Sequence, residues 1–175
     1  MSSITVISGT NRENSHTEKV ARHYEAILKS KGETVNYLSL KDLPDSFISS
    51  DLYGKRSEAF QKIIDADIAH QHKFIFISPE YNGSFAGILK VFLDAIPPRM
   101  WADNKACLVG VSSGRAGNLR GLEHLTNILN YLKVNVYHNK LPISRVDTLL
   151  NTDAGIKDDE TLKVIDLQIE GFLRF

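Results

Sequence analysis

Short apolar runs alternate with amphipathic segments along the whole of this chain of 175 residues. The run Lys73–Ser78 (KFIFIS) is continuously apolar, as expected of a strand that helices cover on both faces. An earlier segment instead spaces Val20, Tyr24, Ile27 and Leu28 along one face of a helix. Such alternation predicts a parallel sheet with right-handed crossovers and helices on each side, so the fold class is α/β.

Hydrophobic periodicity and turn residues together predict five strands and five helices in one domain, residues 1–175. The predicted strands are Ile4–Ile7, Glu33–Leu40, Lys73–Ser78, Ala106–Ser112 and Val134–Tyr137, the last extending towards Pro142. The predicted helices are Ser15–Lys31, residues 56–71, Ser84–Ile96, Leu119–Leu132 and Asp158–Phe175, and residues 41–53 are predicted to form a loop.

The composition narrows the classes of partner. Lysine plus arginine total 21, equal to aspartate plus glutamate, so we expect neither nucleic acid nor an anionic membrane as a partner. No apolar stretch approaches the roughly 18 residues that span a bilayer. The single cysteine, Cys107, excludes an internal disulfide, and the amino terminus shows no basic leader segment. We therefore expect a cytoplasmic protein.

The first predicted strand is followed by the hydroxyl-rich sequence Ser8–Thr17 and then by a helix. A loop in this position directs backbone N–H groups and the positive end of the helix into one concavity, which favours a phosphate. Thr10, Ser15 and Thr17 add hydroxyl groups, and Arg12 adds a forked cation. The loop matches neither standard nucleotide motif, which favours a phosphomonoester over ATP or a dinucleotide.

The same loop has a simpler interpretation. Ser15 followed by Glu18 forms the pattern of a capping box, which needs no ligand. The position of two further loops favours a ligand, because Pro79–Ser84 and Ser112–Asn118 also follow predicted strands. The carboxyl ends of parallel strands meet at one edge of an open sheet, where such proteins bind their ligands.

Residue types in these two loops suit a flat ligand. Tyr81 can lay an amphipathic ring against it, and Asn82-Gly83 suits a bend with positive φ angles. The glycines of the sequence Ser112–Gly117 allow a ring to approach the backbone closely. Each of these loops taken alone is better explained as an ordinary turn.

Together the loops resemble a known family. The spacing Thr10-x-Arg12-x-x-Ser15-x-Thr17 is similar to the phosphate loop G-S-x-R-x-x-S-x-N of the NADPH-dependent FMN reductase family. The segment Pro79-Glu80-Tyr81-Asn82-Gly83-Ser84, with Gly87-x-Leu89-Lys90-x-x-Leu93-Asp94 after it, resembles that family's P-E-Y-N-x-S…G-x-L-K-x-x-[IL]-D. The resemblance covers essentially the whole chain. It implies a flavodoxin-like sandwich with strand order 2-1-3-4-5 and a homodimer or homotetramer.

The resemblance also implies which residues bind FMN. It places the phosphate in the first loop, on Gly9, Thr10, Arg12, Ser15, His16 and Thr17. It places the flavin ring against the second and third loops, on Pro79, Glu80, Tyr81, Asn82, Gly83, Ser113, Gly114 and Arg115. Two positions depart from the family pattern: Thr17 stands where asparagine is usual, and Arg115 stands where many members have a second glycine.

The implied activity is hydride transfer from NADPH through FMN to a small-molecule acceptor, which could be a flavin, a quinone or an azo compound. The cofactor carries this chemistry, so we expect no catalytic side chain. In agreement, no Ser-His-Asp grouping is apparent and the six histidines lack metal-ligand spacing. The alternative is a flavodoxin-like electron carrier without its own NAD(P)H turnover, which the balanced charge disfavours. The sequence leaves the choice between NADPH and NADH open.

The segment around the third predicted helix is unusually apolar. Ser84–Ile96 contains Phe85, Ile88, Leu89, Phe92 and Leu93, and Pro97, Pro98, Met100 and Trp101 follow it. One helix against a sheet needs an apolar stripe of only about a third of its circumference. The surplus predicts a second buried face and hence an oligomer.

Overall fold

The computed structural model describes residues 4–53, 55–151 and 155–175. Its main sheet is parallel and has the order β2-β1-β3-β4-β5, with β6 also paired to β4. The strands of this sheet are β1 Ile4–Ser8, β2 Val35–Ser39, β3 Lys73–Pro79, β4 Lys105–Val111, β5 Asn135–Val136 and β6 Leu141–Ile143. The predicted α/β class and the predicted strand order are confirmed.

Helices cover both faces of the sheet. They are α1 His16–Ser30, α2 Glu58–Asp67, α3 Gly87–Asp94, α4 Pro98–Trp101, α5 Leu119–Tyr131, α6 Val146–Leu149 and α7 Asp159–Arg174. A small antiparallel pair, β7 Leu150–Asn151 and β8 Gly155–Ile156, follows α6. Among the described residues, no helix is both long and apolar enough to cross a membrane.

The central strand β3 explains why the sheet has two apolar layers. Phe74 and Phe76 belong to the cluster that α2, α3 and α5 cover, whereas Ile75 and Ile77 belong to the cluster under α1 and α7. Side chains of a strand alternate between the two faces, so a strand covered on both sides needs apolar residues at every position. This is the physical basis of the continuous apolar run in the sequence.

The fifth predicted strand is interrupted. β5 pairs with the start of β4 at Lys105 and Ala106, and β6 pairs with its end at Val109–Val111. Between them, Gln168 Nε2 of α7 donates to the carbonyl of Leu108 at 3.2 Å, and the Tyr24 hydroxyl donates to Gln168 Oε1 at 2.7 Å. The bond from Gln168 replaces the strand hydrogen bond that the Leu108 carbonyl lacks at this point, and the bond from Tyr24 holds Gln168 in place. A buried carbonyl without a partner would lower the stability of the fold.

Several predicted boundaries differ from the structure; the helix predicted over residues 56–71, for example, spans only Glu58–Asp67. The helix predicted over Ser84–Ile96 begins only at Gly87 and ends at Asp94, because a tight turn occupies the residues before it. The loop predicted over residues 41–53 contains a π-helical turn, Phe47–Asp51, whose Phe47 ring packs on Phe60 at 4.9 Å between centroids.

The surplus of apolar residues near α3 is largely buried inside the single chain. Leu89, Phe92, Leu93 and Trp101 are all buried, and the rings of Phe92 and Trp101 lie 6.2 Å apart. The apolar surplus near α3 is therefore no longer a strong reason to expect a second subunit. Oligomerisation remains a prediction and has to be supported by a different surface.

Candidate functional site

A cavity of about 610 Å³ lies at the carboxyl edge of the sheet. The loops after β1, β3 and β4 line it, and the start of α6 closes one side. Its lining residues are Arg12, Glu13, Asn14, Ser15, His16, Thr17, Pro79, Glu80, Tyr81, Val111, Ser112, Ser113, Gly114 and Val146. The three loops that the sequence placed at one edge are thus brought together, and we call this space the loop cavity.

The first loop leads into the amino terminus of α1. Ser15 is the N-cap residue, and its hydroxyl accepts from the Glu18 amide at 3.1 Å. The carboxylate of Glu18 binds Lys41 Nζ at 2.7 Å, so only the Ser15 half of the predicted capping box is found. Thr17 is buried and lines the cavity, whereas Arg12 is exposed at its rim.

Two predicted residues of this loop, Gly9 and Thr10, are not among the described residues that line the cavity. The amide of Gly9 donates to the Ile77 carbonyl at 2.8 Å, which ties the loop to β3. Thr10 is only 1% exposed. Its hydroxyl accepts from the Arg12 amide at 3.2 Å and shares a hydrogen bond of 2.9 Å with the Tyr81 hydroxyl. Both residues shape the loop from outside the cavity.

The second loop forms a tight turn that we call the ring-side hairpin, residues Tyr81–Ser84. The backbones of Tyr81 and Ser84 exchange two hydrogen bonds, at 2.8 and 3.1 Å. Asn82 and Gly83 between them have φ angles of 52° and 75°, as the sequence predicted for this turn. Tyr81 lines the cavity, while Asn82 and Gly83 form the tip of the hairpin beyond it.

Asn118 holds the base of this hairpin and was not predicted as a site residue. Its fully buried side chain donates to the carbonyls of Ser78 and Pro79 at 3.1 and 2.8 Å. Its own amide donates to Glu80 Oε2 at 3.3 Å. An asparagine before α5 could have been predicted as an N-cap, but its side chain makes no cap and binds the end of β3 instead.

The third loop folds back on β4. Ser112 Oγ donates to the Gly114 carbonyl at 3.1 Å and accepts from the Gly117 amide at 3.0 Å. Gly110 allows this approach, because a Cβ there would lie 2.0 Å from the Gly117 carbonyl oxygen. Ser113 and Gly114 line the cavity as predicted, and Arg115 is exposed beyond the lining.

A fourth segment, from the end of β6 to the start of α6, completes the cavity. No sequence motif predicted it. The Ser112 amide donates to the Ile143 carbonyl at 3.0 Å, so the carboxyl end of β6 reaches the same edge as β4. The buried Val146 then lines the cavity. The next residue, Asp147, lies 2.7 Å from His16 Nε2 and so links α6 to the first loop. A strand boundary placed at Ile143 would have predicted this segment.

The chemistry of the lining suits binding better than side-chain catalysis. The positive end of α1, the Thr17 hydroxyl and the Arg12 guanidinium are groups that bind phosphate. Burial raises the pKa of the Cys107 thiol well above its usual range, so Cys107 stays protonated and unreactive. Within residues 4–53, 55–151 and 155–175, no group of three His, Cys, Asp or Glu side chains could hold a metal ion.

Known proteins are similar to this chain in sequence and in fold. Residues 2–147 match the family model of NADPH-dependent FMN reductases. An NAD(P)H:quinone oxidoreductase of Solanum tuberosum is 30% identical over 168 residues, which is 89% of this chain and 82% of the relative. An NAD(P)H-dependent FMN reductase of Pseudomonas aeruginosa is 27% identical over 169 residues, 94% of this chain and 89% of the relative. Among solved structures, an NAD(P)H:(acceptor) oxidoreductase of Paracoccus denitrificans has a TM-score of 0.78 at 20% identity, covering 99% and 98% of the two chains.

The strand order and the likeness to solved structures define a flavodoxin-like α/β protein. The match of the family model over most of the sequence is more specific. The chain belongs to the NADPH-dependent FMN reductase family.

The buried bonds of Asn118 can be tested by replacing it with alanine. In Asn118→Ala the carbonyls of Ser78 and Pro79 lose their donor, so the free energy of unfolding should fall by about 1–3 kcal/mol. Urea denaturation measures this change. The control is Asn130→Ala on the exposed side of α5, and equal stability of the two variants would contradict the role of Asn118.

Proposed function

We propose that FMN binds in the loop cavity and that the protein passes hydride from NADPH through this cofactor to a quinone or a related small-molecule acceptor. One observation carries the proposal: residues at the start of α1 that are suited to phosphate and Tyr81 of the ring-side hairpin line the same cavity. Relatives that are named quinone reductases and FMN reductases support it.

At the phosphate end, we propose contacts from Arg12, Ser15, His16 and Thr17. Ser15 caps α1 and lines the cavity together with His16 and Thr17, so the first turn of the helix begins at this cavity. The bond between His16 and Asp147 orients the imidazole at the rim. A phosphate fits here because the helix dipole and the Arg12 guanidinium both stabilise its negative charge.

At the ring end, we propose that the isoalloxazine lies against Pro79, Glu80 and Tyr81 and near Ser113 and Gly114, all of which line the cavity. This lining suits the ring because Tyr81 offers an aromatic surface and Gly114 adds no side chain. We also propose ring contacts from Asn82, Gly83 and Arg115, which adjoin the lining residues Tyr81 and Gly114 along the chain.

When bound, FMN supplies the ability to accept and donate hydride, and the protein supplies position and electrostatics. The chain's own residues hold the phosphate end, hold the ring end and leave the mouth of the cavity accessible. Arg115 is exposed beside that mouth, where its cation can bind an anionic group of NADPH or of the acceptor.

The test of the activity is anaerobic reduction of the FMN-loaded protein by NADPH. We expect the flavin absorbance to bleach and to return on addition of 1,4-benzoquinone. Because donor and acceptor use one cavity mouth, double-reciprocal plots should give parallel lines. If neither NADPH nor NADH bleaches the bound flavin, the protein is an electron carrier of flavodoxin type and the reductase proposal is wrong.

The phosphate end is tested by Arg12→Ala. Loss of a charged hydrogen-bond donor should weaken FMN binding by about 1.5–3 kcal/mol and leave riboflavin binding unchanged, since riboflavin has no phosphate. Fluorescence titration with both flavins measures the difference. Lys19→Ala removes an equal charge from the exposed surface of α1 and serves as the control. Equal losses for FMN and riboflavin in Arg12→Ala would place its guanidinium away from the phosphate.

We also propose that the protein is a homodimer or homotetramer in the cytoplasm. The supporting surface is an apolar groove of about 400 Å³ between α3 and α5, lined by Leu93, Ile96, Ile128 and the exposed Tyr131 among others. The buried, protonated Cys107 suits a reducing compartment.

Light scattering at micromolar concentration tests the oligomer. The expected mass is at least twice the chain's 19.6 kDa. In Tyr131→Glu, a charge in the middle of the groove should shift the protein towards the monomer. A wild-type mass of one chain would exclude the proposed assembly.

A further inference from the structure

The ring-side hairpin is held from two sides by bonds that lie outside the proposed ligand contacts. On one side, the Tyr81 hydroxyl and Thr10 Oγ1 lie 2.9 Å apart. On the other side, Ser84 Oγ and Nδ1 of His124 on α5 also lie 2.9 Å apart. The backbone bonds between Tyr81 and Ser84 close the turn itself. Each end of the hairpin is therefore tied to a different element of the fold.

The hydrogen-bonding capacity of Thr10 is mostly used within the protein. A threonine hydroxyl has one hydrogen to donate and two lone pairs to accept with. One lone pair accepts from the Arg12 amide, and the Tyr81 hydroxyl takes up a further place. Thr10 is only 1% exposed, and its hydroxyl makes both of these bonds inside the protein.

Tyr81 has the complementary arrangement. Its side chain lines the cavity, while its hydroxyl is engaged by Thr10. A hydrogen bond at the far end of a tyrosine side chain fixes the rotation about the Cα–Cβ bond, and with it the direction of the ring axis. The position of its ring is therefore set by the loop after β1, which is the loop that carries the phosphate-binding groups.

We infer that Thr10 is a positioning residue for the flavin ring through its bond to Tyr81. This inference rests on the proposed binding of FMN in the loop cavity. The bond prearranges Tyr81 before the ligand enters, so less side-chain freedom is lost on binding. Its effect acts on the ring, with or without a phosphate attached.

Riboflavin, which has the ring and no phosphate, is the probe that separates the two roles. We expect Thr10→Val and Tyr81→Phe each to weaken riboflavin binding about three- to tenfold, the range for one lost hydrogen bond. Both substitutions break the Thr10–Tyr81 bond, and Thr10→Val also removes the acceptor of the Arg12 amide, so the double variant should bind no more weakly than Thr10→Val alone. Thr10→Ser keeps the hydroxyl and should restore binding.

The result that overturns the inference is wild-type riboflavin affinity in Thr10→Val together with weakened FMN binding, which would make Thr10 a phosphate ligand. Losses that multiply in the double variant would also overturn it, because the two residues would then act independently. Thermal melting of the unliganded variants checks that they remain folded, and Tyr81→Phe leaves the Arg12–Thr10 bond intact. Failure of the proposed function is distinguishable, since the wild-type protein would then bind neither flavin.

Discussion

The parallel pairing of β1, β3 and β4 is the constraint on which the site depends. Ser8 of β1 pairs with Ile77, and Pro79 of β3 pairs with Val111 of β4, so the three strands end at one edge. Each chain segment must leave the sheet there as a loop before a helix returns it to the other edge. This pairing by itself brings the start of α1, the ring-side hairpin and the glycine-containing loop after β4 to the same edge of the sheet.

Buried polar side chains stabilise the places where this backbone pattern is interrupted. The Gln168 side chain donates a hydrogen bond to the Leu108 carbonyl, which has no strand partner in β5 or β6. The Asn118 side chain likewise donates to the carbonyls of Ser78 and Pro79, where β3 ends. Both side chains are fully buried, so their hydrogen bonds are shielded from water. The end of β3, which contributes Pro79 to the cavity, is thereby held by buried hydrogen bonds.

The two ends of the cavity differ in how the protein controls them. The phosphate end uses groups present in any helix terminus, supplemented by the exposed Arg12. The ring end depends on the placement of a single aromatic side chain, Tyr81, by a neighbouring loop. In a family whose cofactor carries the redox chemistry, such placement is the main task left to the protein.

The sequence by itself determined the layers of the fold and, through the family resemblance, the strand order. It also determined most of the lining residues from Arg12 to Gly114. Both were possible because apolar periodicity and loop motifs are local properties of the chain. Only the tertiary structure decided the rest. Val146 and Asp147 join the cavity because β6 re-pairs with the end of β4, and Thr10 faces Tyr81 because their two loops meet. The buried Asn118 looks like an N-cap in the sequence. These features depend on contacts between residues far apart along the chain, which no local pattern encodes.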